Sequence, residues 1–206
     1  MKNTPDKPTH QQVSKERNRP TWDENPMKIL QNGGTILYPT DTVWGIGCDA
    51  TSEEAVKKVY ALKQRDESKA LIILVKDEEM LRKYVTEIPS SIAVILTHAT
   101  RPTTIIYPNA RNLASNLIAE DGSIAIRIPQ HDFCQNLLQQ WQKPLVSTSA
   151  NISGEPTPIH FSEISETIKN QVDYVVDSDV FDIQTPTQPS RILKIGEEGE
   201  VLVIRE

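Results

Sequence analysis

The feature that most limits the folds open to this chain is an alternation. From about residue 27 onward, short apolar runs take turns with segments of helical period. Strand-like runs fall at residues 35–38, 70–75, 103–107, 123–128, 144–147, 174–176, 191–195 and 201–204. Helix-like segments fall at 26–31, 52–62, 77–85, 90–98, 132–141 and 162–170. Such an order predicts a layered α/β (or α+β) fold on a mixed sheet. Gly196 and Gly199 between the last two runs predict an antiparallel pair there. In the 52–62 segment, Thr51 and Glu54 have the spacing of a capping box. Val56, Val59, Tyr60 and Lys63 fall on one side of that helix. The longest wholly apolar run, ALIILV at 70–75, suits a buried strand and is far short of the roughly 20 residues of a membrane span.

The first 26 residues differ. They read MKNTPDKPTHQQVSKERNRPTWDENP, with four prolines, no glycine and few apolar side chains. Such a segment buries too little to offset its ordering entropy, so residues 1–26 are expected to be a flexible extension and 27–206 the working domain. Its polar start lacks the apolar core of a secretory signal, which points to a cytoplasmic protein without a membrane segment. The two cysteines, Cys48 and Cys134, stand 86 residues apart, which argues against a disulfide framework or a clustered zinc site. The formal net charge of −6 argues against nucleic-acid binding by bulk charge, though not against a local basic site.

P-loop, nucleophile-elbow and HExxH patterns are absent, and Gly45-Ile46-Gly47 lacks the third glycine of a dinucleotide fingerprint. Four polar clusters remain. Thr40 and Thr42 would share one side of an extended segment, with Gly45 and Gly47 allowing a ligand close to the backbone; a hydroxyl-rich turn explains the same residues. Lys63, Arg65 and Lys69 would form an anion clamp if the helix ends near Lys63; cations at a helix C-terminus also follow from the dipole. Ser149 and Asn151 carry oxygens suited to phosphate, carboxylate or a magnesium-bound water, or they cap a turn. Strand alternation puts Ser123, Ala125 and Arg127 on one face, where Arg127 needs either an internal acid or a bound anion. Trp44 suits either a pocket border or the core, whereas Cys48 and Cys134 read as packed residues.

Together these clusters resemble the YrdC-like family of L-threonylcarbamoyladenylate synthases. The residues that carry the likeness are YPTDTVWGIGCDA (38–50), AVKKVYALKQR (55–65), SIAIRIPQH (123–131) and STSANISGEPTP (147–158). The KxR and SxN pairs, the family's joint hallmark, are both intact. The resemblance implies a three-layer YrdC/RibB-like fold, a twisted mixed sheet flanked by helices with an open concave site, and places Trp44, where the family has an aromatic, at the pocket rim. It also implies a nucleotidyltransferase that makes threonylcarbamoyl-AMP and pyrophosphate from L-threonine, bicarbonate and ATP. The product would pass to a separate tRNA threonylcarbamoyl transferase for N6-threonylcarbamoyladenosine at tRNA position 37. Lys63, Arg65, Ser149 and Asn151 would be catalytic. Thr42, Arg65, Arg127 and Ser149 would bind threonine, and Lys63, Lys69, Ser123, Asn151 and Arg205 the nucleotide. Mg²⁺ would come with ATP, without direct protein ligands. The alternatives are an RNA-binding module of the same fold, with the basic arm in contact with RNA, or a paralogue with another carbamoyl or adenylyl substrate. The chain departs from the family pattern at Asp66, where proline is usual, at Leu74, where many members have histidine, and at Arg191, where threonine is usual.

Overall fold

In the computed structural model, residues 25–68, 70–177, 188–196 and 198–206 are described. The proposed extension therefore lies almost wholly outside the described residues, as does Lys69. The elements in chain order are α1 (Asn25–Gln31), β1 (Ile36–Tyr38), β2 (Gly45–Gly47), α2 (Glu53–Lys63), β3 (Ile72–Leu74), α3 (Glu78–Leu81), α4 (Ser90–His98), β4 (Thr103–Tyr107), β5 (Ile124–Arg127), α5 (Asp132–Trp141), β6 (Leu145–Ser149), α6 (Glu166–Gln171), β7 (Tyr174–Val175), β8 (Arg191–Ile195) and β9 (Val201–Arg205). Single 3₁₀ turns cover Ser115–Leu117 and Phe161–Glu163.

The strands form one mixed sheet in the order β7-β1-β2-β6-β3-β5-β4-β8-β9. β1 with β7, β3 with β5 and β4 with β8 run parallel, and the other neighbours antiparallel. The final pair, β8 and β9, is antiparallel as the glycines predicted.

Alternation along each strand divides the side chains between two faces. One face is dry over much of its length: Leu37, Ile46, Ile73, Val146, Ile126, Ile105 and Leu193 pack under residues of α2, α3, α4 and α6. The opposite face is covered only in part. There α1 and α5 seat Leu30, Phe133, Leu137, Leu138 and Trp141 on Ile36, Tyr38, Leu74 and Leu145. Helices on both faces of the sheet make the three layers expected.

Several local expectations need correction. α2 is capped by Ser52, whose side chain accepts from the Ala55 N–H, while Thr51 bonds to Asp49 instead. The nine-residue helix expected at 77–85 is a single turn, because the chain leaves it at once to lay Val85 against Ala110. Gly45–Gly47, which carries no strand pattern in the sequence, is a buried strand. A Cβ on Gly47 would come within 2.4 Å of the Val146 carbonyl and 2.7 Å of Tyr38, so this glycine serves strand packing rather than a ligand. Trp44 is fully buried and packs on Phe161 with ring centroids 4.8 Å apart, so it is a core residue and not a rim. Both cysteines are packed, as read.

Candidate functional site

Where the second face is left uncovered, the sheet floors a cavity of about 340 Å³. Register sets the floor: Ser147, Ile72, Ala125 and Ile106 lie side by side across β6, β3, β5 and β4. The walls carry hydroxyls from Thr42, Ser149, Thr157 and Ser190 and three guanidinium groups, Arg65, Arg127 and Arg205. Among the described residues, no carboxylate lines this space. In a chain of net charge −6, this is a concentrated local positive field above a mostly apolar floor.

Arg127 ends β5 and is almost completely buried. Its Nη1 donates to Thr42 Oγ1 at 3.0 Å, and its Nη2 lies 3.4 Å from Asp41 Oδ1. Asp41 is the internal acid that the sequence left as one of two possibilities, and the Gln130 N–H fixes its other oxygen at 2.9 Å. Arg127 Nε has no partner, so a buried donor is left over.

Lys63 closes α2, and Gln64 follows in the left-handed region (φ 49°), which turns Arg65 out of the helical path. The lysine itself does not line the cavity. Only 1% exposed, it donates to the Ser149 and Asn151 carbonyls at 2.5 and 2.7 Å, while its own carbonyl accepts from the Ser153 N–H at 2.9 Å. It therefore braces the backbone of the SxN turn from behind. Burial, and then the nearby Arg65, pull its ammonium down to a pKa of about 8. Arg65 reaches the cavity and donates to the Ala70 carbonyl at 3.0 Å.

Ser149 ends β6 on the cavity wall. Asn151 turns its Nδ2 onto the Ile152 and Glu155 carbonyls, leaving Oδ1 buried without a donor. Arg205 arrives from β9, held by two bonds to the Ser190 carbonyl at 3.1 and 2.7 Å. Burial, and then Arg127, lower its pKa. Ser190 in turn shares a 2.8 Å bond with Thr104.

Ser123 stands apart from the cavity lining: it bonds to Asp121 at the start of β5. Of the family departures, Asp66 is exposed and accepts from the Ser68 N–H, Leu74 is core, and Arg191 pairs with Glu206 at 3.2 Å. Sequence reasoning missed Ser147, Thr157 and Ser190 as lining residues. Ser147 was readable from its alternation with Ser149, and Ser190 from its place directly before the departure at Arg191.

This is an α/β protein whose half-open sheet carries a cationic, hydroxyl-lined pocket. A family model named Sua5_yciO_yrdC and described as telomere recombination matches residues 28–206. A threonylcarbamoyl-AMP synthase of Pseudoalteromonas translucida (strain TAC 125) is 37% identical over 166 residues, 79% of this chain and 87% of the relative. Another, of Psychromonas ingrahamii, is 33% identical over 167 residues, with the same shares. Among solved structures, a doubly substituted P. abyssi Sua5 aligns with a TM-score of 0.80 at 24% identity, over 91% of this chain and 58% of that longer one. E. coli YciO aligns with a TM-score of 0.76 at 21% identity, over 89% of this chain and 87% of that one. The chain belongs to the Sua5/YciO/YrdC family.

Proposed function

We propose that the protein is an L-threonylcarbamoyladenylate synthase: L-threonine, bicarbonate and ATP give threonylcarbamoyl-AMP and pyrophosphate. The observation that carries this reading is the lining itself, with three guanidinium groups, several hydroxyls and, among the described residues, no carboxylate. Relatives above 30% identity named for this activity support it.

The chemistry brings anions together. The threonine amine attacks the carbon of bicarbonate, or of CO₂ formed from it, and water is lost to give a carbamate. A carbamate oxygen then attacks the α-phosphorus of ATP, and pyrophosphate leaves with the electrons of the broken P–O bond. No step needs a protein nucleophile, and burial raises both cysteine thiols far from thiolate formation. What the protein must supply is positioning and a counter-field.

Arg65, Arg127 and Arg205 can hold the carboxylate and phosphate oxygens, with Thr42 and Ser149 placing the amino acid. Lys63 acts from behind, by fixing the turn that presents Ser149 and Asn151. Mg²⁺ fits as the companion of the triphosphate, whose charge it neutralises. The Ser149 hydroxyl and the donor-free Asn151 Oδ1 are the kind of oxygen that it, or a water on it, accepts as neighbours. The product would then serve a separate tRNA threonylcarbamoyl transferase.

The test is pyrophosphate release from MgATP. It should require both L-threonine and bicarbonate, and release that is independent of threonine overturns the reading.

A further inference from the structure

Thr40 is 1% exposed and does not line the cavity, yet it fixes what Thr42 offers there. Thr40 Oγ1 lies 2.8 Å from the Val43 carbonyl, 2.9 Å from Thr42 Oγ1 and 3.0 Å from the Thr42 N–H. A carbonyl can only accept, so the one Thr40 proton goes to Val43. Thr40 Oγ1 must then accept twice, from the Thr42 N–H and from the Thr42 hydroxyl. The reverse order would set two lone pairs against each other at 2.8 Å and leave the Val43 carbonyl without this donor. The proton of the Thr42 hydroxyl is therefore spent on Thr40.

Arg127 Nη1, which can only donate, takes one Thr42 lone pair at 3.0 Å. One lone pair is left on Thr42 Oγ1, and Thr42 borders the cavity. The bonds thus run in one direction: Arg127 to Thr42, Thr42 to Thr40, Thr40 to the Val43 carbonyl.

We infer that Thr40 is a positioning residue that makes Thr42 an acceptor-only group, so that Thr42 takes an N–H or O–H donor of the substrate and turns away carboxylate and phosphate oxygens. This rests on the proposed threonine-dependent reaction and deepens it. The amino acid must enter with its ammonium or hydroxyl toward Thr42 and its carboxylate toward the guanidinium groups. A turn that only caps the backbone would need the Thr42 N–H bond to Thr40, but not the hydroxyl relay.

The experiment compares wild type, Thr40→Val and Thr40→Ser in pyrophosphate release, with L-threonine and MgATP varied separately. Thr40→Val keeps the shape and removes the acceptor; Thr40→Ser keeps the hydroxyl. Losing one neutral hydrogen bond predicts a rise of about tenfold in KM for L-threonine with Thr40→Val, with KM for MgATP changed by less than about twofold and Thr40→Ser close to wild type. The wild-type preference for L-threonine over L-valine identifies the donor: its collapse in Thr40→Val marks the substrate hydroxyl, and its persistence alongside a raised KM marks the ammonium. An unchanged KM for L-threonine in Thr40→Val overturns the inference. A wild type whose release ignores threonine overturns the underlying reading instead. Should Thr40→Val not fold, Thr40→Cys takes its place, with the same selectivity and a smaller shift, because a thiol accepts weakly.

Discussion

The two halves of the sheet's second face are built from the same strands and end in opposite states. Toward β1, the face is sealed by α1 and α5 around Leu30, Tyr38, Phe133 and Leu138. Toward β4, the same face stays open, and Ala125, Ser147 and Ile106 look into the cavity. Arg127 stands at the seam, with Leu74 of the sealed half as one register neighbour and Thr104 of the open half as the other. The difference is one of cover rather than of strand chemistry. A sheet face with no helix over it must be polar or must hold something, and this one is polar at its walls and mostly apolar at its floor.

Removing the seam should have the largest effect. Arg127→Met leaves Asp41 buried without its cation, an expected loss of about 3–5 kcal/mol in urea unfolding. Asp41→Asn in the same chain should recover part of that stability but none of the activity. In the sealed half, Leu138→Ala should cost about 2–5 kcal/mol while pyrophosphate release per folded molecule stays at the wild-type level. Equal damage to activity would erase the distinction between the halves.

Lys63 comes next. Unfolded, it titrates near 10.5; folded, at about 8. Between those values the unfolded chain holds a proton that the folded one has released, so stability rises with pH across the window, and below it the fold bears the whole cost of the buried charge. Relative to Lys63→Met, wild type should gain about 2–3 kcal/mol from pH 7 to pH 10, read as the difference between two unfolding curves. The smallest structural effect belongs to the open half. Arg65→Ala should change stability by less than about 1 kcal/mol, yet lower threonine-dependent release by about tenfold or more.

Periodic segments were legible where local pattern and tertiary outcome agree. α4, β4, α5 and β8 fall on the residues that their sequence pattern marks. β2 was not legible: three residues, two of them glycine, carry no strand pattern, and only the pairing with β1 and β6 makes them one. α3 stops early because the Arg111 and Asn112 side chains bond back to the Arg82 and Lys83 carbonyls, contacts from 29 residues away that no helical period reports. At the site, the sequence marked Thr42, Arg65, Arg127, Ser149 and Arg205, all of which line one cavity. Lys63, Ser123 and Asn151 stand outside that lining. A lysine in a KxR pair gives no sign of whether its ammonium meets a ligand or two backbone carbonyls, because that depends on where β6 ends relative to α2. Trp44 was misplaced for a like reason: a large aromatic beside a pocket motif suits a rim or a core equally well, and Phe161, far along the chain, decides it.

The Lys63 brace also bears on motion. One residue ties the end of α2 to the Ser149–Ser153 turn by three hydrogen bonds, two from its ammonium and one to its carbonyl. The turn, though a loop in sequence, then has no independent hinge. Its backbone amide at Ser153 can meet solvent deuterium only when the last turn of α2 lets go, so its exchange rate reports the opening of a helix rather than the flutter of a loop.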